Sequence, residues 1–338
     1  MSLRINLALQ GGGAHGAFTW GVLDGLLADP DIEIAGISGT SAGALNGAAL
    51  KAGLVRGGKD AARENLEWLW TEVGRLGDLR LAEWMNVFSP PSQLVGKAIE
   101  YSLPYNLADA ASRMFSPYDY GPFYQNPLSS ITERLRYDDV CAESEPRFFV
   151  SATNVRSGKI RIFTGKEITP DAIMASACLP SVFQAVEIAG EAYWDGGYTG
   201  NPALFPLFSP DLPADIVVVN INPLYREDVP TNARDILNRI NEISFNTSLL
   251  RELRAINFVK RLIADGQMAE GAMKDVLVHM IADDEMMREL SVATKLVPTP
   301  SVILNLKAAG ARAAKTFLDN AKSKIGKEST VDLSEMYD

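Results

Sequence analysis

The chain holds 338 residues, 47% of them hydrophobic and 22% charged, enough to bury a sizeable core without a metal or disulfide staple. Lys and Arg total 32 against 42 Asp and Glu, so the net charge is −10. That balance argues against nucleic acid as a partner and against broad electrostatic adhesion to anionic membranes, and leaves hydrophobic contact with a lipid open.

In chain order, Ile5 to Leu9 reads as a short buried strand, with Asn6 and Gln10 breaking up the apolar residues around it. A secretory signal needs a longer apolar core, and no run approaches the ~18 apolar residues of a membrane span. The expected location is cytoplasmic, with transient peripheral contact at a membrane surface left open. Gly11-Gly12-Gly13 follows at once, and from Gly16 the spacing turns helical through Phe18, Val22, Leu23, Leu26 and Leu27. Ile34 to Ser38 predicts a second strand, and Ala42 to Lys51 a helix of small residues. This βαβ rhythm implies a parallel sheet covered on both faces.

Residues 54–126 differ in character. They are dense in aromatics, from Trp68 and Trp70 to Tyr118 and Tyr124, and are punctuated by Pro90-Pro91, Pro104 and Pro117. Helices are predicted over 60–74 and 91–102, then an irregular aromatic loop. The segment reads either as a second layer of core or as a cap offering apolar surface to an acyl chain. Strand signals return at 148–153, 159–164, 186–188 and 191–194, and Ile216 to Ile221 is the clearest buried strand. A long helix then carries Ile236, Ile240, Ile243, Leu250, Leu253 and Ile256 at three- and four-residue steps, allowing for one slipped turn. Val276 to Ile281 predicts a late strand. Lys307 to Lys324 predicts a terminal helix whose basic residues read as a solvated surface, ahead of a tail. Cys141 and Cys178 show no C-x-x-C pattern, which argues against a structural zinc site and for a reducing compartment.

Three loops carry chemistry. Gly39-Thr40-Ser41-Ala42-Gly43 lies between a strand and a helix, the setting in which a G-x-S-x-G turn forces its serine into a strained conformation with Oγ exposed. The helix that begins near Ala42 favours the negative charge that develops when serine attacks a carbonyl. Gly11-Gly12-Gly13-Ala14-His15-Gly16 leaves backbone N–H groups uncovered at a helix start, a site for an anion such as the oxyanion of a tetrahedral intermediate. Both loops follow parallel strands and so share the carboxyl edge of one sheet, where α/β proteins place ligands. Asp195-Gly196-Gly197 ends the 191–194 strand and can aim a carboxylate past small neighbours. With only two histidines in the chain, His15 and His279, a serine nucleophile has few candidate bases, and Asp195 is one that could take its proton directly.

These residues resemble the patatin-like phospholipase family, which joins a G-G-G-x-[RK]-G loop, a G-x-S-x-G elbow and a distant D-G-[GA] aspartate in this order. Ala175-Ser176-Ala177-Cys178-Leu179-Pro180 is similar to the helix end that precedes that aspartate. The resemblance spans 5–222. It departs at His15, where the family commonly has Arg or Lys. It implies a three-layer α/β/α sandwich with a mainly parallel central sheet, while the residues themselves predict one domain over 1–325, with 54–126 as an insertion that reads as core or cap, and 326–338 as a mobile tail. It further implies a cofactor-free lipid acyl hydrolase in which Ser41 attacks an ester and Asp195 accepts its proton. Amides of the Gly11, Gly12, Gly13 and Ala14 loop would hold the oxyanion, and Gly196, Gly197 and His15 would support the site. Phospholipid, lysophospholipid and neutral ester all remain open as substrates.

Three rivals stand beside that reading. Gly11, Gly13 and Gly16 also fit a dinucleotide loop, but Asp31 and Glu33 precede the second strand, where a ribose-binding acid should follow it. Ser41, Asp195 and His279 have the chain order of an α/β-hydrolase triad. A non-catalytic lipid-binding protein on the same fold is the third.

Overall fold

The structure, a computed structural model, describes residues 2–76, 116–269, 271–290 and 292–337. Strands β1 (Leu3–Leu9), β2 (Ile32–Gly39), β3 (Arg147–Asn154), β7 (Asp215–Val219) and β8 (Leu277–Ile281) run parallel. β4 (Ile160–Thr164), β5 (Val186–Ile188) and β6 (Glu191–Asp195) add antiparallel pairs. The order across the sheet is β5-β6-β3-β2-β1-β7-β8, with β4 also paired to β3.

The period of two along each strand divides the interior into two cores. Leu7, Leu9, Ile37, Val217 and Val219 face one side, with α1 (Gly16–Ala28), α2 (Ala42–Leu76) and α9 (Pro300–Ala321) packed over them. Ala8, Ala35, Ile216, Val218 and Val278 face the other, under Leu249, Leu253 and Ile256 of α6 (Ala233–Ala264). The result is a mixed α/β sandwich with a mostly parallel centre. Shorter helices are α3 (Ser129–Thr132), α4 (Tyr137–Val140), α5 (Pro170–Ser176), α7 (Asp284–Glu289) and α8 (Val292–Leu296).

Several expectations change. The helices predicted from Ala42 and from Asp60 run on as α2, broken at Gly57 and at Gly58, whose φ is 73°. The terminal helix starts at Pro300, not Lys307, because proline suits a first helical turn. Its basic residues meet acids: Lys322 bonds Asp29 and Asp31, and Lys315 bonds Asp319. On α6 the apolar stripe is split. Leu253 and Ile256 are buried, whereas Ile236, Ile240 and Ile243 are exposed, since only the second half of the helix lies against the sheet.

Within the segment 326–338, expected to be mobile, the described residues 326–337 make contacts with the sheet and α6: Thr330 N–H donates to Val278 O at 3.0 Å, Leu333 is buried, and Tyr337 donates to Leu250 O. The predicted helix over 91–102 and most of the 54–126 insertion lie outside the described residues. The end of that insertion is held on the approach to β5, where the hydroxyls of Tyr118 and Tyr124 accept from the amides of Ala185 and Gln184. No helix among the described residues is long and apolar enough to cross a membrane.

Candidate active site

The sheet itself brings Ser41 to Asp195. β4 pairs along one edge of β3, so β2 and β6 must share the other edge. Gly39, at the end of β2, lies opposite Val150, and Asp195, at the end of β6, lies opposite Ala152. Two residues of strand separate these anchors, about 7 Å. A parallel and an antiparallel strand thus deliver their C-terminal ends to one point.

Ser41 follows β2 by two residues and has φ 55°, a left-handed conformation that costs a non-glycine residue of order 1 kcal/mol or more. Its neighbours hold it there. Its amide donates to Ser176 Oγ at 2.9 Å, and its carbonyl accepts from Ala44 N–H at 2.9 Å as α2 begins. Thr40 Oγ1 bonds Ser151 and Gly200, fixing the preceding residue to β3. Gly39, Ala42 and Gly43 are buried around the turn, as a serine elbow requires.

Asp195 is 2% exposed. Its main chain is pinned on both sides, the amide donating to Cys178 O at 2.8 Å and the carbonyl accepting from Thr153 Oγ1 at 2.8 Å. One carboxylate oxygen accepts from Gly197 N–H at 2.7 Å. Burial lifts this carboxyl to about 7, opposed by the Gly197 amide and by a hydrogen bond from the Ser41 side chain. Tyr198 and Phe245 stack edge-to-face beside it, 5.2 Å between centroids. Cys178 is buried, and its thiol is pushed up to about 12 by burial and by the charge of Asp195, which keeps it an unreactive thiol.

The glycine loop closes the third side. A Cβ on Gly11 would stand 2.7 Å from Ser41 Cβ, so the loop touches the elbow. The Gly11 amide is already committed to Asn201 Oδ1 at 2.6 Å, which removes it from the expected anion donors and leaves Gly12, Gly13 and Ala14. His15 is buried, with Nε2 2.8 Å from Thr294 Oγ1. Burial first, then the charges of Lys295 and Arg226, hold its pKa well below the usual histidine range. It is a neutral loop residue.

Two rival assignments are overturned here. His279 Nε2 lies 2.9 Å from Asp215 Oδ1, and Asp215 begins β7, at the edge of the sheet away from Ser41. His279 is therefore not within reach of the serine. Asp31 likewise sits at the start of β2, opposite in sense to the glycine loop, and pairs with Lys322. It cannot hold a ribose there. Among the described residues no group of three His, Cys, Asp or Glu is placed to hold a metal ion.

Sequence reasoning missed a ring of buried amides around the loop. Gln10 Oε1 accepts from the amides of Ile221 and Asn222, Asn222 Nδ2 donates to Gly11 O at 2.9 Å, and Lys295 Nζ donates to Asn222 Oδ1 at 3.0 Å. Gln10 and Asn222 stand just past the ends of β1 and β7, on the edge where ligands bind, and that placement was the available signal.

A family model described as patatin-like phospholipase matches residues 7–208. A search of curated proteins gives no significant match. Among solved structures, the fold is similar to VipD from Legionella pneumophila, at 14% identity and a TM-score of 0.47, over 94% of this chain and 67% of that one. It is also similar to the ExoU–SpcU complex from the type III secretion system of Pseudomonas aeruginosa, at 17% identity and a TM-score of 0.30, over 96% of this chain and 61% of that one.

Proposed function

The chain belongs to the patatin-like phospholipase family and is a lipid ester hydrolase, and we propose that Ser41 and Asp195 form its catalytic dyad. The observation that carries this reading is the buried Asp195 carboxyl, lifted to about 7 and brought by the pairing of β2 and β6 along β3 to a serine held at φ 55°. A base works best with a pKa near the working pH, and burial supplies that shift without a histidine. Ser41 Oγ bonds to the ester carbonyl carbon as its proton passes to Asp195. The carbonyl electrons move to oxygen, where the amides of Gly12 and Gly13 receive the charge. Collapse expels the alcohol, protonated by Asp195, and leaves an acyl-serine. Water, deprotonated by Asp195, then attacks the acyl carbon, and collapse frees the acid as Asp195 returns the proton to Ser41 Oγ.

The substrate meets this site from a lipid surface. Support comes from exposed apolar side chains: Tyr198 beside the aspartate, and Ile240 and Ile243 on the helix that carries Phe245. Such a face suits transient hydrophobic contact where a net charge of −10 opposes electrostatic adhesion. The test is labelling by a fluorophosphonate together with hydrolysis of a panel of phospholipid, lysophospholipid and neutral esters. Labelling and hydrolysis are expected in the parent chain and lost in Ser41→Ala and Asp195→Asn. A Ser41→Ala variant that still hydrolyses lipid overturns the dyad, and a parent chain that binds lipid without cleaving it favours the lipid-binding alternative.

A further inference from the structure

We infer that Lys295 is a positioning residue for the acyl-transfer step, fastening the glycine loop against Ser41 and supplying the positive charge that faces the oxyanion. This rests on the Ser41–Asp195 reading. Lys295 belongs to α8, beyond the segment 7–208 that the family model matches.

Helix α8 grips the loop at three points. Thr294 Oγ1 meets His15 Nε2 at 2.8 Å. The Lys295 carbonyl lies so close to Gly13 that a Cβ there would stand 2.4 Å from it, and Gly13 has φ 57°. The Lys295 ammonium donates to Asn222 Oδ1, whose amide nitrogen in turn holds Gly11 O. That same Oδ1 lies 3.7 Å from where a Cβ on Gly12 would be, so the side chain that holds the ammonium borders the loop whose amides are assigned to the oxyanion.

The ammonium is not neutralised in place. Among the described residues, its bonded partner is the uncharged Asn222, and the carboxylate that acts on it, Glu242, is taken by both Arg226 and Arg239. Three cations thus share one anion. Lys295 is half-buried with no ion-pair partner of its own among the described residues, and the cost of that desolvation lowers its pKa. An anion formed on the other side of the loop offsets that cost, and it forms only as the ester carbonyl becomes tetrahedral. His15 does not serve, because it is neutral. The charge comes instead from Lys295, 280 positions further along the chain.

The experiment compares Lys295→Met, Lys295→Gln and Lys295→Arg in the full chain, with p-nitrophenyl ester kinetics, fluorophosphonate inactivation rates and melting temperatures. Met and Gln are expected to lower kcat and the inactivation rate by about 10- to 100-fold with KM little changed, while Arg retains most of both. Gln keeps a donor for Asn222, so it reports the charge even if Met fails to fold. Wild-type rates in a folded Gln or Met variant overturn the inference. Equal losses in Gln and Arg, or losses that track the melting temperature, also overturn it, since they mark packing rather than charge. Ser41→Ala assayed alongside keeps the two readings apart: activity surviving there sinks the dyad, whatever Lys295 does.

Discussion

The backbone amide of Ser41 donates to the side chain of Ser176, 2.9 Å away and 135 positions later in the chain. Ser176 is fully buried at the end of α5, so this bond has no solvent substitute. It ties the strained elbow to the segment that leads into Asp195. Ser176→Ala leaves a buried amide unpaired, at about 1–3 kcal/mol. The expected result is a drop of about tenfold in kcat with a lowered melting temperature, read by ester hydrolysis and thermal denaturation.

Asp195 sets the pH dependence. With its carboxyl near 7, the base form is lost as pH falls through that value, so hydrolysis rises between pH 6 and pH 8 toward a plateau. Stability runs the other way. The folded state holds this proton up to about 7, whereas an unfolded aspartate loses it near the ordinary value of 3.8, so the group destabilises the fold progressively across that window and constantly above it. Asp195→Asn is expected to be inactive and to gain melting temperature at pH 8 but not at pH 4.

His279 supports the fold and not the reaction. It bonds Asp215, which also accepts from Gly326 N–H at 2.7 Å, and it stacks edge-to-face on Phe317 of α9. His279→Asn is expected to hydrolyse ester within about twofold of the parent while losing about 1–3 kcal/mol of stability. Denaturant titration beside the ester assay checks both halves. Near-complete loss of activity in a folded variant would return the triad.

The exposed stripe of α6 gives a test that separates surface contact from chemistry. Ile240 is 54% exposed and Ile243 52%. Ile240→Glu is expected to slow hydrolysis of phospholipid vesicles several-fold and to leave a short, soluble ester within about twofold. Equal effects on both substrates would place the residue in the fold rather than at the lipid.

The three loops, the strand that precedes each and the family resemblance were all legible in the sequence. Each is a local pattern: glycine at a turn, serine between strand and helix, alternation along a buried strand. Gly39 to Gly43 needed nothing distant to be recognised. The boundaries of α2 and α9 and the exposure of Ile236, Ile240 and Ile243 were not legible, because a helical period marks a face without saying how far the sheet beneath it extends.

What the chain order could not decide is who meets at the site. Asp195 reaches Ser41 because β2 and β6 take consecutive stretches of one edge of β3, a pairing with no signature in spacing. The same holds for Asn201 capturing the Gly11 amide, for His279 turning to Asp215, and for Lys295 standing behind the loop where His15 carries no charge. Local geometry follows from residue type and its neighbours, whereas the electrostatics of a site depend on burial and distance, and those exist only once the chain has folded.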